Sequence, residues 1–469
     1  MGSNWPIVRL GDYCLKIGSG ATPKGGKSVY LDNGDISLIR SQNIYNDGFK
    51  TGGLAFITEA AAEKLNNVEV QENDILLNIT GDSVARVCLA PKEFLPARVN
   101  QHVAIIRANQ KEFDARFIRY FFASPTQQNV LLIVASAGAT RNALTKSNIE
   151  ALHICKPCLK TQKWISDQLE SLERKIHSNQ KINQTLEQMA QALFKSWFVD
   201  FEPVKAKITV LETGGSQEEA TLAAMTAISG KDADSLAFFE REYPEQYAEL
   251  KATAELFPSA MQESELGEIP VGWSAGQLSD IAIFAKGKIE VSKLTADTYI
   301  STENMLENKS GISQASSLPS VSTVPNFSAG HILISNIRPY FKKIWLARFS
   351  GGRSADVLAF ESKNNTTVEF LYNLLYQDTF FDFMMLTSKG VKMPRGDKTA
   401  IMGWTCIKPE EKVLKAFSKS IKNFYSYIES HNSENKYLTD LRDTLLPKLL
   451  SGEITLPEAE QSVSEAENV

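Results

Sequence analysis

Residues 165–197 read "ISDQLESLERKIHSNQKINQTLEQMAQALFKSW", and this stretch sets the architecture. Two seven-residue ladders run through it: Ile165, Leu172, Asn179, Leu186, Leu193, and Leu169, Ile176, Asn183, Ala190, Trp197. Steps between the ladders alternate four and three, which is the seam of a coiled coil. A shift of 252 positions gives a second pair: Phe417, Phe424, His431, Leu438, Leu445, and Ile421, Ile428, Asn435, Arg442, Leu449. Both helices are apolar at their ends and polar at their centres. If they pair antiparallel, Asn179 and Asn183 meet His431 and Asn435, and the buried polar groups find partners while fixing register. Parallel pairing would also align the layers, so the layers alone leave direction open. Pro447 is expected to end or kink the second helix near its C-terminus.

The segments on either side of the helices are also written twice. Trp5, Leu10 and Asp12 recur as Trp273, Leu278 and Asp280, at an offset of 268. "NDILLNITGDSVARV" (73–87) resembles "GHILISNIRPYFKKI" (330–344), an apolar strand running into a polar turn and basic residues. "FIRYFF" (117–122) parallels "FLYNLL" (370–375). Each copy then reaches a Gly loop, "SAGATR" (136–141) or "SKGVKMPR" (388–395), and closes on Lys-Pro, at 156–157 and 408–409. The chain is thus a globular unit, a long helix, a connector, a second globular unit, a second long helix and a tail. Each globular unit reads as mixed strand and helix, of ordinary domain size.

Charge follows the same partition. The net charge of the 469 residues is −5. The connector 199–268 holds 15 acidic and 5 basic residues, a net of −10, and the tail 451–469 holds five Glu and no base. The remainder is therefore +10, which suits a polyanionic partner, although surplus Lys and Arg can also be a plain solvated surface. The connector reads as helical and polar after the Gly214-Gly215 break. No apolar run is long enough to span a bilayer and no secretory signal opens the chain, so no membrane association and a cytoplasmic location are expected. Five scattered cysteines include a Cys155–Cys158 CxxC, but no second pair completes a zinc site.

One loop suggests chemistry. Residues 18–28 read "GSGATPKGGKS", and Ala21 to Ser28 fit a relaxed phosphate-loop pattern. Such a loop needs a helix directly after it, because backbone N–H groups at the helix start hold the phosphates. Residues 29–41 read "VYLDNGDISLIRS" instead, a turn and a strand. No other catalytic constellation stands out. The five His, at 102, 153, 177, 331 and 431, lie in no metal-ligand spacing. No GxSxG, HExxH or aminomethyltransferase tetrapeptide is present. Two copies of a motif-poor domain on a helical spacer read as a recognition protein rather than an enzyme.

A DNA reader needs basic side chains for phosphates and forked side chains for base edges. The first unit offers Arg40, Gln42 and Asn43 after "ISLI". It also offers Asn78, Thr80 and Arg86 around the next turn, and Arg98, Asn100 and Gln101. The second offers Thr302 and Asn304, then Asn336 and Arg338 with Lys342 and Lys343, then Lys389, Lys392 and Arg395. All lie at strand ends and turns, where recognition residues tend to sit.

The sequence resembles the specificity subunit of type I restriction–modification enzymes. The resemblance is carried by "WPIVRLGDY" (5–13), "SGATPKGGKSVYLDNGDISLIRSQNI" (19–44), "LLNITGDSVARVCL" (76–89) and "SAGATRNALTKSNIEAL" (136–152). It continues in "LEQMAQALFKSWFVDFEPV" (186–204), "LFPSAMQESELGEIPVGW" (256–273) and "LRDTLLPKLLSGEI" (441–454), and so covers nearly the whole chain. The second unit departs more, with "TYISTENM" (298–305) where the first has "SLIRSQNI" (37–44).

The resemblance implies an α+β fold, with two similar mixed α/β target recognition domains separated by two long antiparallel helices forming a coiled coil. The expected layout is recognition domain 1 at 1–159, a central helix at 160–198 and the acidic connector at 199–268. Recognition domain 2 then occupies 269–409, the C-terminal helix 410–450 and the acidic tail 451–469. It implies a non-catalytic subunit that reads a split, asymmetric double-stranded DNA target. The helices dock two methyltransferase subunits, and motor–nuclease restriction subunits join them. S-adenosylmethionine, ATP and magnesium belong to those partners, and this chain holds no cofactor or metal. Lys24 or Lys27 then touches a DNA phosphate, and Arg141 in the Gly loop is a further DNA-binding candidate. The helix 161–198 would be about 57 Å long, against roughly 34–36 Å for one DNA turn, so helix length acts as a ruler for the unread gap. Two other functions compete: a nucleotide hydrolase using Lys27, and a two-module protein–protein scaffold that binds no DNA.

Overall fold

A computed structural model of the chain describes residues 5–137, 142–363 and 366–454. Arg141, most of the acidic tail and the side chain of Lys27 lie outside the described residues. The chain divides into two compact units, residues 1–179 with 433–469, and residues 180–432. Each unit contains half of both long helices.

The first unit is built on two four-stranded sheets. One has the order Cys14–Ser19, Val103–Ala108, Ile75–Asn78, Val87–Leu89, and every pair in it is antiparallel. In the other, the short strand Ala97–Val99 runs parallel to Ile36–Ile39 and antiparallel to Glu69–Val70, and Ala55–Ile57 closes the far edge. The first sheet packs under the helix Ala115–Ala123, whose Phe117, Ile118 and Phe122 are buried with Ile75, Leu77 and Ile106. Asp114 starts that helix by accepting the N–H of Arg116, and Ser124 ends it and starts the next, Pro125–Ser136, with Pro at its first turn.

The second unit repeats the plan. Its antiparallel sheet has the order Ala282–Phe284, Val357–Ser362, Ile332–Ser335, Ile344–Leu346, the same connectivity as in the first unit. Its other sheet again has a short central strand, Gly351–Arg353, parallel to one neighbour, Tyr299–Ile300, and antiparallel to the other, Thr323–Phe327. The outermost strand differs: Lys288–Glu290 is added beside Thr323–Phe327, where the first unit adds Ala55–Ile57 on the opposite edge.

The long helices are Leu159–Phe198 and Glu411–Ser451. Their contacts settle direction. In the first unit, Glu173 faces Arg442 at 3.9 Å, Lys175 faces Glu434 at 3.3 Å, and Asn179 faces Asn435 at 3.0 Å. In the second, Asn183 faces His431 at 2.9 Å, and the rings of Trp197 and Phe417 lie 5.6 Å apart. Within the first unit the pairing goes from 173 with 442 to 179 with 435, and within the second from 183 with 431 to 197 with 417, so the helices are antiparallel. In the first unit the seam closes in the core holding Ile165, Leu169, Leu446 and Leu449. In the second, Phe194, Trp197, Phe198 and Phe417 are fully buried or nearly so. Each such side chain contributes about 1.5–3 kcal/mol through burial. The second helix does not end at Pro447 but continues to Ser451. Proline removes one helical hydrogen bond, and burial of Leu446 and Leu449 on either side of it offsets the loss.

The connector folds as part of the second unit into four helices, Glu202–Glu212, Gln217–Ser229, Ala233–Glu242 and Pro244–Glu255, with the hairpin Met261–Ser264 and Gly267–Pro270 after them. Gly214 and Gly215 separate the first two helices. Ser216 and Glu219 form a reciprocal cap on the second, and Gly230 ends it in the left-handed region.

Candidate nucleic-acid interface

In the first unit, four loops leave neighbouring strand ends and are tied to one another. The loop after Cys14–Ser19 crosses the 99–103 turn, with Gly20 N–H donating to Val103 at 2.8 Å and Ala21 N–H to Val99 at 3.1 Å. A Cβ on Gly20 would lie 2.2 Å from the carbonyl oxygens of Val99 and Asn100, so the crossing requires glycine. Only a four-residue 3-10 turn, Gly26–Val29, comes after the loop. The helix start that a phosphate loop needs is not there, and the glycine serves a close backbone crossing instead. Lys24 is exposed beside it.

The loop 40–54 is organised by Asn43. Its amide oxygen accepts the N–H of Arg40 at 3.1 Å, and its amide nitrogen donates to Lys50 at 2.9 Å and Gly52 at 3.2 Å. Arg40 and Gln42 both donate to the carbonyl of Gly53. The Arg40 guanidinium lies 5.3 Å from the Tyr30 ring centre, and its Nε has no hydrogen-bond partner among the described residues. Asn78 is buried and donates to Ser41 at 2.8 Å, tying the 78–86 loop to the first. Arg86 stacks on Tyr45 at 4.5 Å. His102 joins three loops: one ring nitrogen sits 2.6 Å from the Thr80 hydroxyl, the other 3.0 Å from the Gln101 amide, and Gln101 in turn accepts from Thr22. Asn100 is buried and caps the same turn through the His102 N–H. Arg98 points inward, bonded to Ala62, Ala97 and Asn66.

The second unit places its counterparts in the same positions of the fold. Asn304 is the equivalent of Asn43. It is buried, accepts the Ser301 N–H at 2.6 Å, and donates to Tyr299 and Ser313. The Thr302 carbonyl accepts from Lys343 at 2.9 Å. Asn336 is buried and donates to Gly396 at 3.1 Å, which ties the turn after Ile332–Ser335 to the 389–397 loop. The turn 336–343 matches 79–86 in backbone form, because Gly81 and Ala85 have φ of 77° and 73°, and Arg338 and Lys342 have 51° and 49°. Long side chains in this region of φ cost free energy and tend to mark functional loops. Lys342 shares Asp378 with Lys309, at 3.0 and 2.7 Å, and the two cations hold that carboxyl below its ordinary range. Arg395 pairs with Asp356 at 3.1 Å, Lys389 with Asp397 at 2.6 Å, and Lys392 is exposed.

The structure therefore sorts the candidate residues. Lys24, Arg40, Gln42, Thr80, Arg86, Gln101, Thr302, Arg338, Lys342, Lys343, Lys392 and Arg395 are exposed or half-buried on the loops. Asn43, Asn78, Asn100, Asn304 and Asn336 are buried, and their amides hold backbone. Sequence reasoning missed Thr22, Tyr30, Tyr45 and His102 in the first unit, and Asp356 in the second. His102 and Asp356 occupy equivalent positions, where each carbonyl accepts the N–H of Ile79 or Asn336. Their separation of 254 matches none of the repeat offsets and the residue types differ, so only the fold pairs them.

Residues 2–188 match the family model described as the type I restriction modification DNA specificity domain. The specificity subunit of the type I restriction enzyme HindI, from Haemophilus influenzae, is 34% identical over 96% of this chain and all of its own length. The MjaIX specificity subunit of Methanocaldococcus jannaschii is 22% identical over 97% of this chain and 94% of its own. The crystal structure of a type I restriction–modification S subunit from M. genitalium shares the fold, with a TM-score of 0.50 at 15% identity, covering 95% of this chain and 96% of that one. Duplicated domains, antiparallel long helices and a full-length relative at 34% identity together show that the chain belongs to the family of type I restriction enzyme specificity subunits.

Proposed function

We propose that the chain reads a split DNA target, one half-site with the loops of each unit, and performs no catalysis itself. The observation that carries this reading is the repeated loop cluster. In both units a buried asparagine, Asn43 or Asn304, braces a loop beside a turn that carries basic side chains, Arg86 in the first unit and Arg338, Lys342 and Lys343 in the second, with Arg40 and Gln42 on the first unit's braced loop. Such groups make the phosphate contacts and base-edge hydrogen bonds of DNA recognition. The buried asparagines position the loops, and Arg40, Gln42, Arg86 and Gln101 face one half-site, with Arg338, Lys342, Lys343, Lys392 and Arg395 at the other.

The antiparallel helices serve as the docking rod for two methyltransferase subunits, and motor–nuclease subunits complete the restriction enzyme. S-adenosylmethionine, ATP and magnesium are used by those partners. Helix length then sets the number of unread base pairs between half-sites.

Mapping methylated positions in DNA exposed to the assembled methyltransferase tests the reading. The expected result is a bipartite asymmetric sequence, lost when this chain is left out, with strongly salt-dependent binding. DNA binding that does not depend on this chain would favour a protein–protein scaffold instead. The nucleotide-hydrolase alternative has no support in the loop geometry, since only a single 3-10 turn comes after Gly20–Lys24.

A further inference from the structure

Arg119 lies on the helix Ala115–Ala123, is 5% exposed, and is bonded at both ends of its guanidinium. One nitrogen donates to both carboxylate oxygens of Glu173 on the long helix, at 2.8 and 3.0 Å. The other donates to the carbonyl of Asn46, at the tip of the hairpin Ile44–Tyr45 with Gly48–Phe49. Asn46 passes the link on, because its side-chain oxygen accepts the N–H of Val87, next to the Arg86 that stacks on Tyr45. Glu173 is also held by Tyr120 at 2.9 Å and faces Arg442 of the second long helix at 3.9 Å. One buried cation therefore connects the recognition hairpin to the helical rod.

The second unit is built differently at the equivalent place. By the match of "FIRYFF" with "FLYNLL", Tyr372 stands for Arg119 and Asn373 for Tyr120, and by the helix offset of 252 Tyr425 stands for Glu173. There the contact is neutral, with Asn373 donating to the Tyr425 hydroxyl at 2.8 Å.

We propose that Arg119 is a positioning residue for recognition at the first half-site, hanging the 44–49 hairpin from the long helix through Glu173. This rests on the reading of the first unit as a DNA reader. A guanidinium presents donors in a rigid fork that spans a carboxylate and a carbonyl at once, and an ammonium does not. Arg119→Lys keeps the charge beside Glu173 and releases the hairpin. The hairpin then samples more positions, and Arg86 and Arg40 lose their fixed aim.

The test uses the full chain assembled with its methyltransferase subunits. Selectivity for the correct base over single mismatches is measured at each half-site, with hydrogen exchange on the same complex. Arg119→Lys is expected to lower first-half-site selectivity about tenfold, the scale of one hydrogen bond to a charged group. The second half-site should stay unchanged, and exchange should speed up at 44–50 while 115–123 remains protected. Arg119→Met, which removes the buried cation while Tyr120 and Arg442 still face Glu173, should do the same and carries the test if the lysine variant does not assemble. Unchanged selectivity, or an equal loss at both half-sites, overturns the proposal. Arg40→Ala separates the two levels: if it relaxes the first half-site and Arg119→Lys does not, only the strut fails. If Arg40→Ala leaves the first half-site intact, the underlying reading fails and takes the strut with it.

Discussion

Asn179 donates its amide nitrogen to the amide oxygen of Asn435 at 3.0 Å, and Asn435 is the repeat equivalent of Asn183. The neighbouring contact is the reciprocal one: Asn183 faces His431, the repeat equivalent of Asn179, at 2.9 Å. Asn179 is fully buried and also donates to Glu434 at 2.7 Å. A polar pair at the centre of an apolar seam lowers stability relative to leucine but penalises every other register.

Replacing Asn179 with Leu alone should cost about 1 kcal/mol, because Asn435 loses its donor. The double change Asn179→Leu with Asn435→Leu should recover that loss or exceed it. Chemical denaturation of the four proteins in a double-mutant cycle checks this, and strictly additive losses would mean that the two amides are not coupled.

Arg40→Ala in the assembled methyltransferase should relax sequence choice at the first half-site only, by about 1–3 kcal/mol of discrimination if it reads a base. Sequencing of methylated products from a randomised target gives the readout. Equal weakening at both half-sites would show that the first unit is not an independent reader.

Glu187 predicts a pH dependence. Burial pushes its carboxyl up from the ordinary 4.5 to about 7, although Gln191 and the charges of Arg348 and Lys309 pull it back. Tyr372, Tyr376 and Tyr425 face it and are themselves raised by burial and by this carboxylate. Between pH 4.5 and about 7 the folded state keeps a proton that the unfolded state has lost. Stability therefore falls as pH rises through that window and is flat above it. Glu187→Gln should remove the slope and stabilise the protein at alkaline pH, by on the order of 2 kcal/mol. Thermal melts from about pH 5 to about pH 8 test the sign.

Gly20→Ala should force the 20–28 loop off the 99–103 turn, since the new Cβ meets two carbonyl oxygens. The expected cost is about 1–3 kcal/mol, with loss of first-half-site selectivity. The purified chain should turn over no ATP, with or without Lys27→Ala. ATP hydrolysis abolished by Lys27→Ala would restore the nucleotide reading of the loop.

Seven residues added at position 181 and seven at the opposed position 433 keep the seam in phase and lengthen each helix by about 10 Å. If helix length sets the unread gap, the gap should grow by about three base pairs. The same methylation mapping reports it, and an unchanged gap would remove the ruler.

Much of the architecture was legible because it is periodic. The ladders through Ile165 and Trp197, the offset between the helices and the matched Trp-Leu-Asp starts are patterns of spacing, and spacing survives in a one-dimensional string. Direction of pairing came from the family resemblance and not from the polar layers, which align either way; the contacts along the seam agree with it. The structure places the candidate side chains on loops of each unit, but it turns some of them inward. Asn43, Asn78 and Asn304 look like recognition residues by type, yet their amides are spent on backbone groups that only the folded loops bring near. Arg98 and Arg119 are also turned inward, against the usual exposure of arginine. Pro447 stands inside the last turns of its helix: its local cost is real, but the buried leucines on either side outweigh it.

The crossed asparagine contacts make the seam self-complementary. Residue 179 pairs with the counterpart of 183, and 183 with the counterpart of 179, as in an isologous interface between identical copies. A half-length chain holding one head and one rod would thus carry both sides of its own joint, and two such halves would assemble into a symmetric reader of a palindrome.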